Sequence, residues 1–201
     1  MKKIKLLLYC TKTKPYLYRE DDDTFKLENK KLNEDISEYK KYYGLNNGKI
    51  VAECDYEIEE IQTIERWDYS DSLYETQTLR EDELLNKSCL SYEELDKYLN
   101  GENGYAIHIK NLHIYDKPRE LSDVYKYDNS YNNMFGWLKE ENEKYIPLDK
   151  APQNMMRVWV YENGEWIMYI LISVKPEWLC LELNKIKTVE VRKQVLKEML
   201  R

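Results

Sequence analysis

The fold is read from Ile172-Ser173-Val174-Lys175-Pro176-Glu177-Trp178 and, a few residues on, Asn184-Lys185-Ile186-Lys187-Thr188-Val189-Glu190-Val191-Arg192-Lys193. An apolar run from Trp166 to Ser173 reads as a strand that ends just before Pro176. Proline lacks an N–H that the first helical turn would leave unpaired, so Pro176 suits the start of a short helix running to Leu183. Thr188–Arg192 then reads as a final strand. Alternate strand residues share a face, which would present Thr188, Glu190 and Arg192 together with Lys187 at the strand's entrance. Such a group can bind a phosphate or polarise a carbonyl, or it can be a structural ion pair.

Immediately upstream, Arg157–Tyr161 and Trp166–Ser173 flank Asn163-Gly164, the strongest hairpin signal in the chain. At the other end Ile4–Tyr9 reads as a buried strand. Ile50, Ala52, Cys54, Tyr56 and Ile58 alternate with Val51, Glu53, Asp55, Glu57 and Glu59, giving a strand with one apolar face. Residues 62–78 read as irregular. A helix is expected over Leu79–Lys87 and a second to Leu99, opened by a capping box of Ser91 with Glu94 and stopped at Asn100-Gly101. Tyr105–Ile109 and Leu112–Asp116 read as two strands, and Gln194–Leu200 as a terminal helix. Residues 13–47, with a short helix near Glu34–Tyr43, and residues 122–150 read as excursions from one domain of 201 residues.

Composition narrows the function classes. No apolar run approaches the roughly 18 residues of a membrane span. Met1–Cys10 is interrupted by lysines and lacks a small-residue cleavage site, so a signal peptide is not expected. Cys10, Cys54, Cys89 and Cys180 form no CxxC pair; free thiols in a cytoplasmic protein are expected, with no metal and no cofactor. His108 and His113 have no partners at metal-ligand spacing. P-loop, nucleophile-elbow and dinucleotide fingerprints are absent. The 19 tyrosines fit an AT-rich coding bias or a base-stacking surface, and Trp137, Trp159, Trp166 and Trp178 can stack on bases or fill a core. The net charge is −7, yet residues 1–19 carry +6 and residues 171–201 carry +3, leaving −16 on the remainder. If the termini meet, they make a basic patch on an acidic body.

The quoted stretch resembles the opening of an ASCH domain, one branch of the PUA-like barrels: a strand ending in S-x-K-P, a short helix, an N-G-x-K turn, then K-T-x-E-x-R. Lys185 stands where that turn has glycine. The family's later pieces occur earlier in this chain. Leu8-Tyr9-Cys10-Thr11-Lys12, Gly48-Lys49-Ile50-Val51-Ala52-Glu53-Cys54, Cys89–Leu95, Gly104–Ile109 with Tyr115–Leu121, and Ala151–Asn154 each resemble a family segment. Together they cover most of the chain outside roughly 13–47 and 122–150. The resemblance implies an α+β fold, a small PUA-like β-barrel with peripheral helices, here circularly permuted. New termini would lie between K-T-x-E-x-R and the Tyr9-Cys10-Thr11 strand, so the first strand should lie beside the last or one neighbour away. A truncated tandem or a swapped dimer remains an alternative to a permuted monomer.

The resemblance also implies a cleft that admits RNA or a nucleotide. Thr11, Lys12, Ser173, Lys175, Thr188 and Arg192 are the ligand-binding candidates; Lys12, Lys175, Lys187 and Arg192 would make the phosphate contacts. Some small family members resemble amidohydrolases of acylated nucleosides. That alternative gives Lys187 the role of nucleophile or proton carrier and Glu190 a supporting one. A third possibility is a phage-encoded protein whose acidic body targets a host protein.

Overall fold

The computed structural model describes residues 4–12, 48–65, 72–128 and 145–200. The expected helix near Glu34–Tyr43, most of the 13–47 excursion and Trp137 lie outside them. The described chain is α+β and mostly strand. Its strands are β1 (Lys5–Cys10), β2 (Ile50–Glu65), β3 (Ser72–Glu75), β4 (Gly104–Arg119), β5 (Tyr125–Tyr127), β6 (Tyr145–Pro147), β7 (Met155–Glu162), β8 (Glu165–Val174) and β9 (Val189–Arg192). Its helices are α1 (Glu81–Ser88), α2 (Tyr92–Leu99) and α3 (Pro176–Leu183). No described helix is long and apolar enough to cross a membrane.

The strands form one sheet in the order β6-β5-β7-β8-β1-β2-β4-β9, with β3 paired to β2. It is open, so the expected closed barrel is corrected: among the described residues β9 and β6 are separate edges. Two features stand in for closure at β9. The Thr188 N–H donates to the Lys87 carbonyl at the end of α1, and the Arg192 side chain, rather than backbone, reaches β8. The expected neighbourhood of first and last strands is also corrected. β1 pairs parallel with β8 and antiparallel with β2, and both β2 and β4 stand between it and β9.

Leu6, Leu7 and Leu8 are all buried, because β1 is a central strand covered on both faces. Each such side chain contributes about 1.5–3 kcal/mol by leaving water. Leu6, Leu8 and Cys10 face a core shared with Ile170, Ile172, Leu179 and Leu183, so α3 packs against the β1–β8 pair. Leu7 and Tyr9 face a second core with Ile50, Val158 and Leu171. A third core joins Val189 and Val191 to α1 and α2 through Leu84, Leu95 and Leu99.

Local signals placed several elements well. Asn163 (φ 52°) and Gly164 (φ 83°) turn β7 into β8, with Tyr161 opposite Trp166. Ser91 caps α2, its hydroxyl accepting from the Glu94 N–H while the Glu94 carboxylate accepts from the Ser91 N–H. Other expectations are revised. β4 is continuous through the expected break, β2 extends into the supposed irregular region, and β3 follows it. Part of 122–150 is β5 and β6, preceded by a 3-10 turn at Leu121–Asp123. Only Lys197–Leu200 is helical after β9, as a single 3-10 turn. A register shift between Ile50 and Ala52 splits the apolar face expected of β2, sending Ile50 to one core and Ala52 to another.

Candidate functional site

The ends of β8 and β9, the N-terminus of α3 and the residue after β1 frame a half-open cleft of about 490 Å³. Thr11, Ser173, Lys175, Lys187, Glu190 and Arg192 all line it, so six of the eight candidate residues come together. The other two do not. Lys12 is exposed and lays its aliphatic stem against Gly48. Thr188 precedes β9 and therefore escapes its alternation; it lines a separate hollow of about 330 Å³ with Asn111, Glu182, Lys185 and Lys187.

The turn after α3 shows how the sequence delivers Lys187. The Ile186 N–H donates to the Leu181 carbonyl and the Lys185 N–H to the Glu182 carbonyl, the paired bonds of a Schellman motif. Its left-handed position falls on Lys185, at φ 58°, where glycine would be favoured. The turn folds the chain back on α3, so Lys187 meets Glu182 at 3.3 Å. β9 follows, its valines buried toward α1 and α2 and its charged residues turned into the cleft.

Glu190 sits between the side chains of Lys187 and Arg192. Its carboxylate contacts Lys187 Nζ, and its other oxygen lies 2.7 Å from Arg192 Nη2. Arg192 also donates to the Ser173 carbonyl and to Asn154 Oδ1, each at 2.9 Å. Ser173 is itself engaged, its hydroxyl donating to the Pro152 carbonyl at 2.7 Å. The network is buried: Lys187 is 4% exposed, Glu190 7% and Glu182 1%. Burial pushes the Lys187 ammonium down from its ordinary pKa and the Glu182 carboxyl up, because neither charged form is well solvated there. Burial also lowers Arg192, though a guanidinium starts high enough to keep its proton.

Aromatic and amide groups complete the cleft. The Trp178 ring lies 5.3 Å from Lys187 Nζ, and Tyr98 and Gln153 line the opening. Lys193, 5.9 Å from the Tyr98 ring, adds a cation near that rim. Sequence alone does not point to Glu182 or Tyr98, and it names Gln153 and Asn154 only within the family-like Ala151–Asn154 segment. Glu182 is the most consequential, and its signal was a carboxylate inside an otherwise apolar helix, Leu179-Cys180-Leu181-Glu182-Leu183.

Comparisons with protein-family models, with curated proteins and with solved structures find no match.

Proposed function

We propose that the cleft binds the base end of a nucleotide, free or within RNA, as the resemblance to ASCH domains implies. The observation that carries this reading is a cleft of about 490 Å³ that combines Trp178 and Tyr98 with the converging polar groups of Thr11, Gln153, Glu190 and Arg192. Ligand pockets of this size range pair apolar walls with a few placed polar groups in this manner. An aromatic wall stacks on a base, and hydroxyl, amide and carboxylate groups are suited to its edges. Lys187 and Arg192 already contact carboxylates, so phosphate contact shifts to the rim, where Lys175 is exposed. Titration of nucleosides, nucleoside monophosphates and short single-stranded RNAs, followed by NMR, tests the reading. Shifts confined to the cleft support it, and no shift at millimolar ligand refutes it.

Amide hydrolysis of an acylated nucleoside is a second reading, favoured by Lys187 in particular. A buried lysine whose ammonium is destabilised, touching the side-chain carboxyl groups of Glu182 and Glu190 at the floor of a cleft, is the kind of group that moves protons or attacks a carbonyl. Turnover of N4-acetylcytidine by wild type, abolished in Lys187→Met with nucleoside binding retained, would place the protein in this class. Binding without turnover would leave it a binding module.

A further inference from the structure

We propose that Glu182 holds the shared proton of the Glu182–Lys187 pair, so that the cleft floor presents an uncharged amine to an uncharged, carbonyl-bearing part of the ligand. This rests on the nucleobase reading of the cleft and specifies which part of the ligand reaches the floor.

The argument starts from one oxygen. Glu182 Oε2 is buried and has no hydrogen-bond partner among the described residues, and the Glu182 side chain has no exposure at all. An ionised carboxylate with one oxygen lacking both partner and solvent is far costlier than a neutral acid in the same place. The neutral acid accommodates the geometry. A hydroxyl on Oε1 can donate to the Lys187 nitrogen 3.3 Å away, leaving Oε2 as the weaker, carbonyl-type acceptor.

Charge counting gives the same answer. Glu182 and Lys187 are faced by Glu190 and Arg192 from β9, with Cys54 on β2 and Cys89 after α1 nearby. Both thiols are buried, and that of Cys54 is pushed far up by burial, so it stays neutral. Glu190 and Arg192 form an ion pair of zero net charge. A neutral Glu182 beside a charged Lys187 would leave this buried group at +1. A charged Glu182 beside a charged Lys187 restores zero but leaves the orphan oxygen ionised. A neutral acid beside a neutral amine gives zero net charge and ionises neither. The opposite directions in which burial pushes the two groups agree with this assignment. The neutral amine accepts from Glu182 through its lone pair and donates one N–H to Glu190, which leaves its second N–H, with the Trp178 ring 5.3 Å from the nitrogen, as the donor for a ligand carbonyl.

The consequence is a ligand class. A floor of zero net charge offers a phosphate no net attraction, whereas the remaining amine N–H suits an exocyclic acyl group or a ring carbonyl. Anions are then left to the rim.

The test uses the ligand-free, full-length protein. At neutral pH, infrared spectra should show the carbonyl stretch of a protonated carboxylic acid, which Glu182→Gln removes and Glu190→Gln retains. The Lys187 Nζ resonance in ¹⁵N-lysine-labelled wild type should have the shift of an amine. Should Glu182→Gln fail to fold, the wild-type Nζ shift alone decides. An ammonium shift at neutral pH, or an acid band that survives Glu182→Gln, overturns the proposal. Since no ligand is present, either failure leaves the nucleobase reading standing, and failure of nucleoside binding leaves the protonation result standing.

Discussion

Replacing Arg192 by alanine should cost more than any surface ion pair could explain. The guanidinium ties β9 to the end of β8 through the Ser173 carbonyl and to the segment before β7 through Asn154, while pairing with Glu190 at 2.7 Å. Exposed pairs are worth at most about 1 kcal/mol. Here the side chains of Arg192 and Glu190 are only 13% and 10% exposed, so removing the cation strands a buried carboxylate and leaves the Ser173 carbonyl without this donor. Breaking a buried pair from one side costs about 3–5 kcal/mol. Lys187 still contacts Glu190 in the variant, which argues for the lower end, about 3 kcal/mol. For a chain of this length 1 kcal/mol corresponds to roughly 2–4 °C, so the melting temperature should fall by about 6–12 °C. Thermal and urea unfolding at pH 7 measure it, and a double-mutant cycle with Glu190→Ala should recover a coupling above about 1 kcal/mol. A fall below about 2 °C, or additive single effects, would refute the view that Arg192 bridges β9 and β8.

Three further outcomes follow from local geometry. Lys185→Gly should stabilise the chain by about 0.5–1 kcal/mol, since it relieves a left-handed lysine in the turn after α3, offset in part by glycine's backbone entropy; an unchanged urea midpoint contradicts that. Gly164→Val should destabilise by about 1 kcal/mol or more, because a β-branched residue resists the positive φ of the β7–β8 turn, and an unchanged melting temperature would exclude that geometry. Burial by itself pushes the Glu53 carboxyl up, but hydrogen bonds from Lys5 and Tyr115 outweigh it and hold the group below its ordinary 4.5. A depressed carboxylate adds stability that is present above the unfolded value and lost as pH falls through the folded one. The Glu53→Gln deficit should therefore be present at pH 7 and shrink below pH 4.5, whereas a deficit independent of pH would exclude the linkage.

Elements with a local cause were legible in the sequence. The Asn163-Gly164 turn, the Ser91–Glu94 box and Pro176 each act within four residues, and all three appear where expected. So does the convergence of Glu190 and Arg192, since β9 needs only its own alternation to place both on one face. Thr188 departs from the expected face because the strand begins one residue later, and strand periodicity holds only within the strand. β3, β5 and β6 are three or four residues long, too short to show an alternation; β3 folds back on the end of β2, while β5 and β6 depend on partners farther away in the chain. Strand order is likewise non-local: nothing within Leu6–Cys10 states that its parallel partner is Ile170–Val174. Glu182 is not legible from sequence, because a single carboxylate in an apolar helix acquires meaning only once the turn at Lys185 brings Lys187 back to it.

The most direct test of the cleft's function is equilibrium titration of cytidine, cytidine monophosphate and a short single-stranded RNA against wild type, Trp178→Ala and Lys175→Ala, at several salt concentrations. Stacking on an aromatic ring is worth about 1–3 kcal/mol per base, so Trp178→Ala should weaken all three ligands by roughly 5- to 150-fold. Lys175→Ala should leave cytidine unaffected and reduce the salt dependence of RNA binding by about 0.7 in slope, the value for one single-strand phosphate contact. Wild type that binds none of the three, or binds them with no dependence on Trp178, would contradict a nucleobase site in this cleft.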